Sequence, residues 1–313
     1  MKSKNNWRII LAFSVIYIIW GSTYLAILFA IKNIPPVLMS GFRFTTAGIL
    51  LYSWCWIKKE KQPNPSSFAK NAICGVLMLF GGTVAVAWSE QYLSSGIAAI
   101  IVTSVPFWFI LLDKKQWSFY FSNKIIIAGL LLGFAGVILL VGPGKTSSVS
   151  QVAHGKQIAG ALVIIAGGIA WAIGSLYSKY KPTGNSVLMN AAIQLLVAGV
   201  FSFAVSIVTG EERNFSFAKV GTSSFIALLY LIIFGSLITY LCYLWLLKMR
   251  PPAQVSSYVY VNPVVAIILG AIIAGEAITK WQVISLVIII SGVLLINLPK
   301  YKTRKVEQLS KAA

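Results

Sequence analysis

The sequence has few of the side chains on which enzymes and metalloproteins depend. Its 313 residues include one histidine, three cysteines and seven acidic residues. With His154 as the only histidine, neither a Ser-His-Asp arrangement nor a histidine-based metal site can be assembled. Cys55, Cys74 and Cys242 lie in or beside apolar runs without metal or redox spacing, which is typical of small buried side chains. We therefore expect no catalytic residue, no metal and no cofactor.

Charged residues are also scarce, at 11% of the chain, whereas hydrophobic residues make up 58% and the mean hydropathy is +0.83. Such a composition is too apolar for a soluble domain and predicts a membrane protein. The net charge is nevertheless +19. The basic residues stand in short clusters between apolar runs and form no basic face interleaved with aromatic residues. Nucleic acid is therefore not expected as a partner, whereas the lipid bilayer is the expected partner.

Ten apolar runs approach the length of about 20 residues that a hydrocarbon core needs. The predicted spans are residues 9–31, 36–57, 71–91, 95–112, 124–141, 157–178, 186–209, 222–247, 253–275 and 281–298. The first run is too long for a signal peptide and is kept as a span. With the N-terminus inside, 19 of the 26 basic residues fall on the inner side. Since lysine and arginine accumulate there, both termini are expected to be cytoplasmic.

Three landmarks recur in the same order in the two halves of the chain. The matched pairs are Pro106 with Pro263, Gly136 with Gly292 and Trp20 with Trp171, separated by 157, 156 and 151 positions. This spacing indicates duplication of a five-helix unit. Because five is odd, the second copy must enter the membrane from the opposite face. The predicted fold is an all-α polytopic membrane protein with two inverted repeats, residues 1–145 and 146–298, and a basic cytoplasmic tail, residues 299–313.

Pro106 and Pro263 are predicted to break their helices at equivalent places. Proline lacks a backbone N–H group and therefore leaves a carbonyl of the preceding turn without its hydrogen bond. Within the bilayer this is tolerated only where protein or a water-filled cavity supplies another partner for the carbonyl. Many secondary transporters build a central site from inverted repeats with such broken helices. The alternative is that each proline only kinks its helix.

Three segments carry a family resemblance. WGSTYLAI (20–27), WSEQYLSSGIAAIIVTSVP (88–106) and NPVVAIILGAIIAGEAIT (262–279) are similar to signature segments of the EamA-type branch of the drug/metabolite transporter superfamily. The resemblance extends over roughly residues 9–298. It implies a ten-helix permease of the bacterial inner membrane that moves small metabolites, with export as the suggested direction. The first copy departs from the pattern after Pro106, since it lacks the Gly-Glu present at Gly275 and Glu276.

Eight residues at or near the repeat landmarks are candidates for binding a substrate between the halves. They are Trp20, Tyr24, Glu90, Trp171, Tyr177, Tyr258, Tyr260 and Asn262. Aromatic walls with a few hydrogen-bonding groups suit an amphipathic solute, although part of this set would equally serve packing. Glu90 is open to three interpretations: a proton carrier, a partner for a substrate ammonium group or a wet loop residue. Arg43 is expected to snorkel outward, with pairing to Glu90 as the alternative.

The sequence thus predicts a permease, a monomer or homodimer, that moves an amino acid or similar amphipathic compound by alternating access. Proton exchange and facilitated diffusion both remain open. One alternative is a flippase for a lipid or lipid-linked sugar, which would require a basic patch for phosphate. An alternative of another class is a membrane enzyme or scaffold. An enzyme would require clustered acids or histidines within the spans, and the chain lacks them. A scaffold would require a soluble interaction module, which the chain also lacks.

Overall fold

The computed structural model describes residues 6–93, 98, 101–141, 154–274 and 280–297, and all regular elements in these ranges are helical. The α-helices are α1 (Asn6–Ala30), α2 (Pro36–Ile57), α3 (Pro65–Cys74), α4 (Ala85–Ser89), α5 (Val105–Leu112), α6 (Trp117–Ser122), α7 (Lys124–Val141), α8 (His154–Tyr180), α9 (Val187–Thr209), α10 (Thr222–Tyr230), α11 (Thr239–Met249), α12 (Pro252–Val255), α13 (Tyr258–Ala274) and α14 (Lys280–Asn297). Gly275, Glu276, the expected repeat boundary at 145 and the tail 299–313 lie outside the described residues.

Among the residues that the structure describes, five helical stretches are long and apolar enough to cross a membrane. They are Trp7–Ala30, Pro65–Ser89, His154–Tyr180, Val187–Thr209 and Thr222–Met249. A sixth arises if Lys114–Ser122 and Lys124–Gly136, which meet at a bend of 91°, count as one span. Large apolar side chains lie exposed along these helices, as a lipid environment requires. The total of ten spans and the side of the termini stay predictions.

In the described part of the chain, two stretches inside long helices are wound as π-helix. π1 (Gly75–Val84) joins α3 to α4, and π2 (Leu231–Ile238) joins α10 to α11. Their first residues are 156 positions apart, the same offset as the sequence repeat. π-helical turns are rare and concentrate at functional sites. Their recurrence at one offset supports a duplicated unit. The space between them is therefore a candidate for the functional site.

The packing of the helices follows the same duplication. α2 packs against α9, and α7 packs against α14. α8 packs against π1 and α5, and α1, its counterpart in the first half, packs against π2 and α13. Each of these pairings made by a helix of one half therefore has an equivalent made by the other half. The buried core lies between the halves, so a site there takes side chains from both copies.

The two prolines are not equivalent in the structure. A turn at Thr103 and Ser104 precedes α5, and Pro106 stands in the first turn of that helix. Pro263, in contrast, lies inside α13, which continues through it, and the break lies earlier, at Ser256 and Ser257. The expectation of a helix break at Pro263 is thus corrected. Pro263 is the sixth residue of α13, so it removes one backbone hydrogen bond and crowds the carbonyl of Val259, but the helix continues past it.

The N-terminus of α2 is held by a carboxylate from the loop after α9. Glu211 Oε2 accepts hydrogen bonds from the backbone N–H groups of Val37 at 3.0 Å and Leu38 at 3.1 Å. These are donors that the first turn of a helix leaves unpaired. We expect Glu211→Ala to destabilise the fold by about 1 kcal/mol and Glu211→Gln, which keeps an acceptor oxygen, by less. The shift of the unfolding midpoint in detergent measures the loss of stability in each variant.

The same residue should make the stability depend on pH. Burial raises the pKa of the Glu211 carboxyl above its ordinary value of 4.5, although the two N–H groups oppose the shift. A group whose pKa is higher in the folded than in the unfolded protein stabilises the fold when it is protonated. This stabilisation is complete at pH values below the unfolded-state pKa and is lost as the pH rises through the folded-state pKa. The wild type should therefore lose stability relative to Glu211→Gln as the pH rises. A difference that is flat or grows in the opposite direction would contradict this assignment.

Candidate functional site

A cavity of about 100 Å³ lies between the two halves. Its wall comes from α1, α2, π1, α4, Val102 and α5 on one side and from α8, π2, α11 and α13 on the other. Five of the eight candidate residues lie on this wall: Trp20, Tyr24, Trp171, Tyr258 and Asn262. The repeat landmarks Trp20 and Trp171 thus meet at one place although they are 151 positions apart.

An aromatic cluster forms part of the cavity wall. The rings of Trp20 and Trp171 meet edge to face at 5.6 Å, and Tyr258 lies 4.7 Å from Trp20. The Trp171 indole N–H donates to the Tyr243 hydroxyl at 2.9 Å, and the Trp20 indole N–H donates to the Gly235 carbonyl at 3.1 Å. Because both indole donors are paired, the rings are held in place and present apolar surface to the cavity.

Glycines leave the room that these rings occupy. A Cβ atom on Gly82 of π1 would lie 2.7 Å from the Trp171 ring, and one on Gly167 would lie 2.7 Å from the Gly81 carbonyl oxygen. A Cβ atom on Gly235 of π2 would lie 2.9 Å from Arg43 Nη2. Both π-helical segments therefore allow the opposite half to approach the cavity closely.

Arg43 is buried in the cavity wall, with 3% of its surface exposed. Its Nε donates to the Ser236 hydroxyl at 2.7 Å, and the guanidinium carbon lies 5.0 Å from the centre of the Phe44 ring. Nη1 is buried without a hydrogen-bond partner. The expectation that Arg43 snorkels outward is wrong, and no hydrogen bond joins it to Glu90 either. The hydroxyl of Ser236 on π2 holds the side chain inward.

Glu90 follows the last residue of α4 and is buried, with 6% exposed. Neither carboxylate oxygen has a hydrogen-bond partner. The backbone N–H of Glu90 donates a hydrogen bond to the carbonyl of Val86, a residue of the cavity wall, at 3.0 Å. Glu90 also lies near Tyr24, whose side chain is hydrogen-bonded to that of Asn262. Glu90 therefore stands one helical turn beyond the wall. Its burial does not fit a wet loop residue.

Tyr177 and Tyr260 lie away from the cavity. Tyr260 is fully buried against α7, where its ring would contact a Cβ atom on Gly133 at 3.3 Å. Tyr177 is partly buried and packs on the main apolar core. The reason is helical geometry, because residues two or six positions from Tyr258 or Trp171 point to another side of the helix. Both tyrosines serve packing in this structure.

A polar chain that was not predicted from the sequence leads away from the cavity. The Tyr240 hydroxyl, on the wall, donates to Gln194 Oε1, and Gln194 Nε2 donates to Asn71 Oδ1 at 2.7 Å. Asn71 Nδ2 donates to Asn190 Oδ1 at 2.8 Å, and Thr183 Oγ1 donates to the same oxygen at 2.8 Å. The signal was available, since isolated amides within apolar runs are costly in a membrane and mark structural or functional contacts. This connected network links the cavity wall at Tyr240 to α9 and α3.

A second buried cluster lies on the same side as Thr183. Asp113, with 1% exposed, accepts hydrogen bonds from Tyr180 at 2.7 Å and from Tyr120 at 3.1 Å. Lys179 Nζ donates to the carbonyls of Leu247 and Arg250 at 2.7 and 2.8 Å. Burial raises the pKa of the Asp113 carboxyl, against the effect of these hydroxyls and the nearby lysines. The cluster ties α5, α6, α8 and α11 together.

Comparison with known proteins identifies the architecture. The model of the EamA-like transporter family matches residues 7–142 and again residues 158–298. The chain belongs to the EamA-like transporter family. The two matches account for the paired π-helical segments and the equivalent helix packing, because each match is one copy of the family's unit. The earlier resemblance to the EamA-type branch of the drug/metabolite transporters is confirmed.

Two relatives from different bacteria are named as transporters. The chain is 36% identical over 293 residues to the uncharacterized inner membrane transporter YedA of Escherichia coli strain K12, covering 93% of this chain and 90% of YedA. The uncharacterized transporter YvbV of Bacillus subtilis is 24% identical, with 97% and 96% covered. A solved crystal structure superimposes with a TM-score of 0.72 at 18% identity, covering 92% of this chain and 96% of the other. This EamA-family protein is therefore a multi-pass transporter of the inner membrane.

Proposed function

We propose that this transporter exports a small amphipathic metabolite, an amino acid or a related compound, by alternating access. The observation that carries the proposal is the cavity whose wall is shared by both halves and includes the landmark tryptophans, which meet there. A site between two duplicated halves can be exposed to either side when the halves rock against each other. An aromatic wall with few polar groups suits a solute with an apolar body.

The proposed topology has ten spans in two inverted repeats, with both termini in the cytoplasm. The distribution of basic residues and the equivalent helix packing support it. In this orientation the loops that carry Asp113 and Arg250 face the cytoplasm, and the cavity lies in the outer half of the protein. The Asp113 cluster and the Gln194 network then close the inner side. Opening that side and closing the outer side would complete the transport cycle.

The test is transport by the purified protein in liposomes loaded with a panel of amino acids and other small metabolites. We expect efflux of a subset of the panel above the rate of empty liposomes. Transport of none of them in either direction would overturn the proposal. Movement of a fluorescent lipid between leaflets, in place of any metabolite, would favour the flippase.

We further propose that Glu90 carries a coupling proton. A buried carboxylate without a hydrogen-bond partner is costly when ionised, so Glu90 is suited to bind a proton on one side and release it on the other. An imposed pH gradient should accelerate transport by the wild type, and Glu90→Gln should remove this acceleration. Glu90→Asp is the matched control, because it keeps a titratable carboxyl group. An unchanged pH response in Glu90→Gln would exclude Glu90 as the proton site.

A further inference from the structure

We infer that Arg43 is the anion-binding group of the cavity and that the transported solute carries a carboxylate. The inference rests on the proposed transport function and names the substrate class of the same site. The first observation is the charge of the cavity wall. Among the described residues on the cavity wall, Arg43 is the only charged one, and no acidic residue lies on that wall.

A buried guanidinium without an anion is energetically unfavourable. Removing an ion from water costs several kcal/mol unless a partner of opposite charge compensates it. Arg43 is 3% exposed and has the neutral Ser236 hydroxyl as its hydrogen-bond acceptor, while Nη1 has no partner. Arginine cannot escape this cost by losing its proton as lysine does. A carboxylate on the solute would supply the missing charge.

The guanidinium is held in a fixed plane. Ser236 binds the Nε–H, the Phe44 ring lies 5.0 Å from the guanidinium carbon, and Gly235 leaves space beside Nη2. A planar fork fixed in this way recognises a planar carboxylate with directed N–H groups, and such charge-assisted hydrogen bonds are stronger than neutral ones. Because Arg43 comes from α2 and Ser236 from π2, an anion bound here would sit at the joint between the two halves.

The rest of the wall limits what the carboxylate is attached to. Trp20, Trp171 and Tyr258 offer apolar ring surface to the body of the solute. Asn262 is 3% exposed, and its Oδ1 has no hydrogen-bond partner, so it can accept a hydrogen bond from a solute. The wall therefore fits a compact acid with an apolar body and one donor group, which is the chemistry of apolar amino acids and hydroxy acids.

The experiment measures binding of matched pairs that differ in charge at one group. The pairs are leucine with leucinamide, phenylalanine with phenylalaninamide and lactate with lactamide, followed through tryptophan fluorescence of the purified protein in detergent. We expect the acid of at least one pair to bind about tenfold or more tightly than its amide, as loss of a charge-assisted contact predicts. Arg43→Gln should reduce this preference to less than about threefold. Arg43→Lys should retain part of it, because the charge remains but the fork does not.

Two controls keep the result interpretable. Lys32→Gln removes a basic residue that is exposed outside the cavity and should leave the preference unchanged. If Arg43→Gln does not fold, the acid-to-amide ratio in the wild type still decides, together with Ser236→Ala, which should lower the ratio by releasing the guanidinium. Equal binding of acids and amides by the wild type would overturn the inference. Binding of inorganic phosphate in preference to every carboxylate would do so too.

Liposome transport separates this inference from the proposed function. Transport of uncharged or cationic solutes that is unaffected by Arg43→Gln would overturn the assignment of Arg43 and leave the transport function standing. Transport of no solute, with or without a carboxylate, would overturn both.

Discussion

Gly199→Ala is expected to abolish the folded transporter. Gly199 of α9 faces α2, and a Cβ atom there would lie 2.4 Å from the backbone nitrogen and 2.3 Å from the hydroxyl oxygen of Thr45. Gly48 of α2 makes the same contact in the other direction, 2.7 Å from the backbone nitrogen of Leu196. Contacts with backbone atoms cannot be relieved by turning a side chain, so the two helices would have to separate.

The expected size follows from what these helices join. The contact between α2 and α9 is the broadest one between the two halves, so a separation of these helices would disturb the packing on both sides of the cavity. Overpacking of a well-filled interior costs about 1–3 kcal/mol even where side chains can move, and more is expected where backbone meets backbone. Size-exclusion elution and the unfolding midpoint in detergent measure the loss.

Gly155→Ala is the matched control for this variant. Gly155 lies near the start of α8, and nothing is within 4 Å of the position of a Cβ atom there. The added methyl group should be neutral or slightly stabilising, since alanine favours helix. If Gly199→Ala eluted and melted like Gly155→Ala, the close approach of α2 and α9 would be contradicted.

Val86→Trp is expected to stop transport without unfolding the protein. Val86 lies on the cavity wall, and an indole there would occupy much of a space of about 100 Å³. A solute then has no room, whereas the helix can keep its fold because the added atoms enter an existing cavity rather than filled packing. We expect transport in liposomes to fall by at least about tenfold, as loss of the solute's place should produce.

Val200→Trp provides the comparison for this substitution. Val200 lies on α9 with 61% of its surface exposed, so the same indole should face lipid and leave transport near the wild-type rate. Near-native elution of both variants excludes a folding defect. If Val86→Trp transported at the rate of Val200→Trp, the cavity would not be the path of the solute.

The amino-acid sequence alone determined the class, the duplication and part of the site. Its apolar composition and run lengths required a membrane fold, because burying so many apolar residues in a soluble domain is impossible, and the recurring landmarks identified two copies of one unit. Trp20, Tyr24, Trp171, Tyr258 and Asn262 were predicted from their places at or near the repeat landmarks to line a cavity, and they lie on its wall.

Only the tertiary structure decided how individual side chains meet. Arg43 was expected to point to water, but Ser236, 193 positions away, holds it inside the cavity. The break near Pro263 lies at Ser256 and Ser257, and Tyr260 packs against α7. Composition and spacing record how strongly each residue prefers lipid or water, a preference local to the chain. Which helix face meets which partner depends on contacts between distant residues, and these exist only once the two halves have packed together.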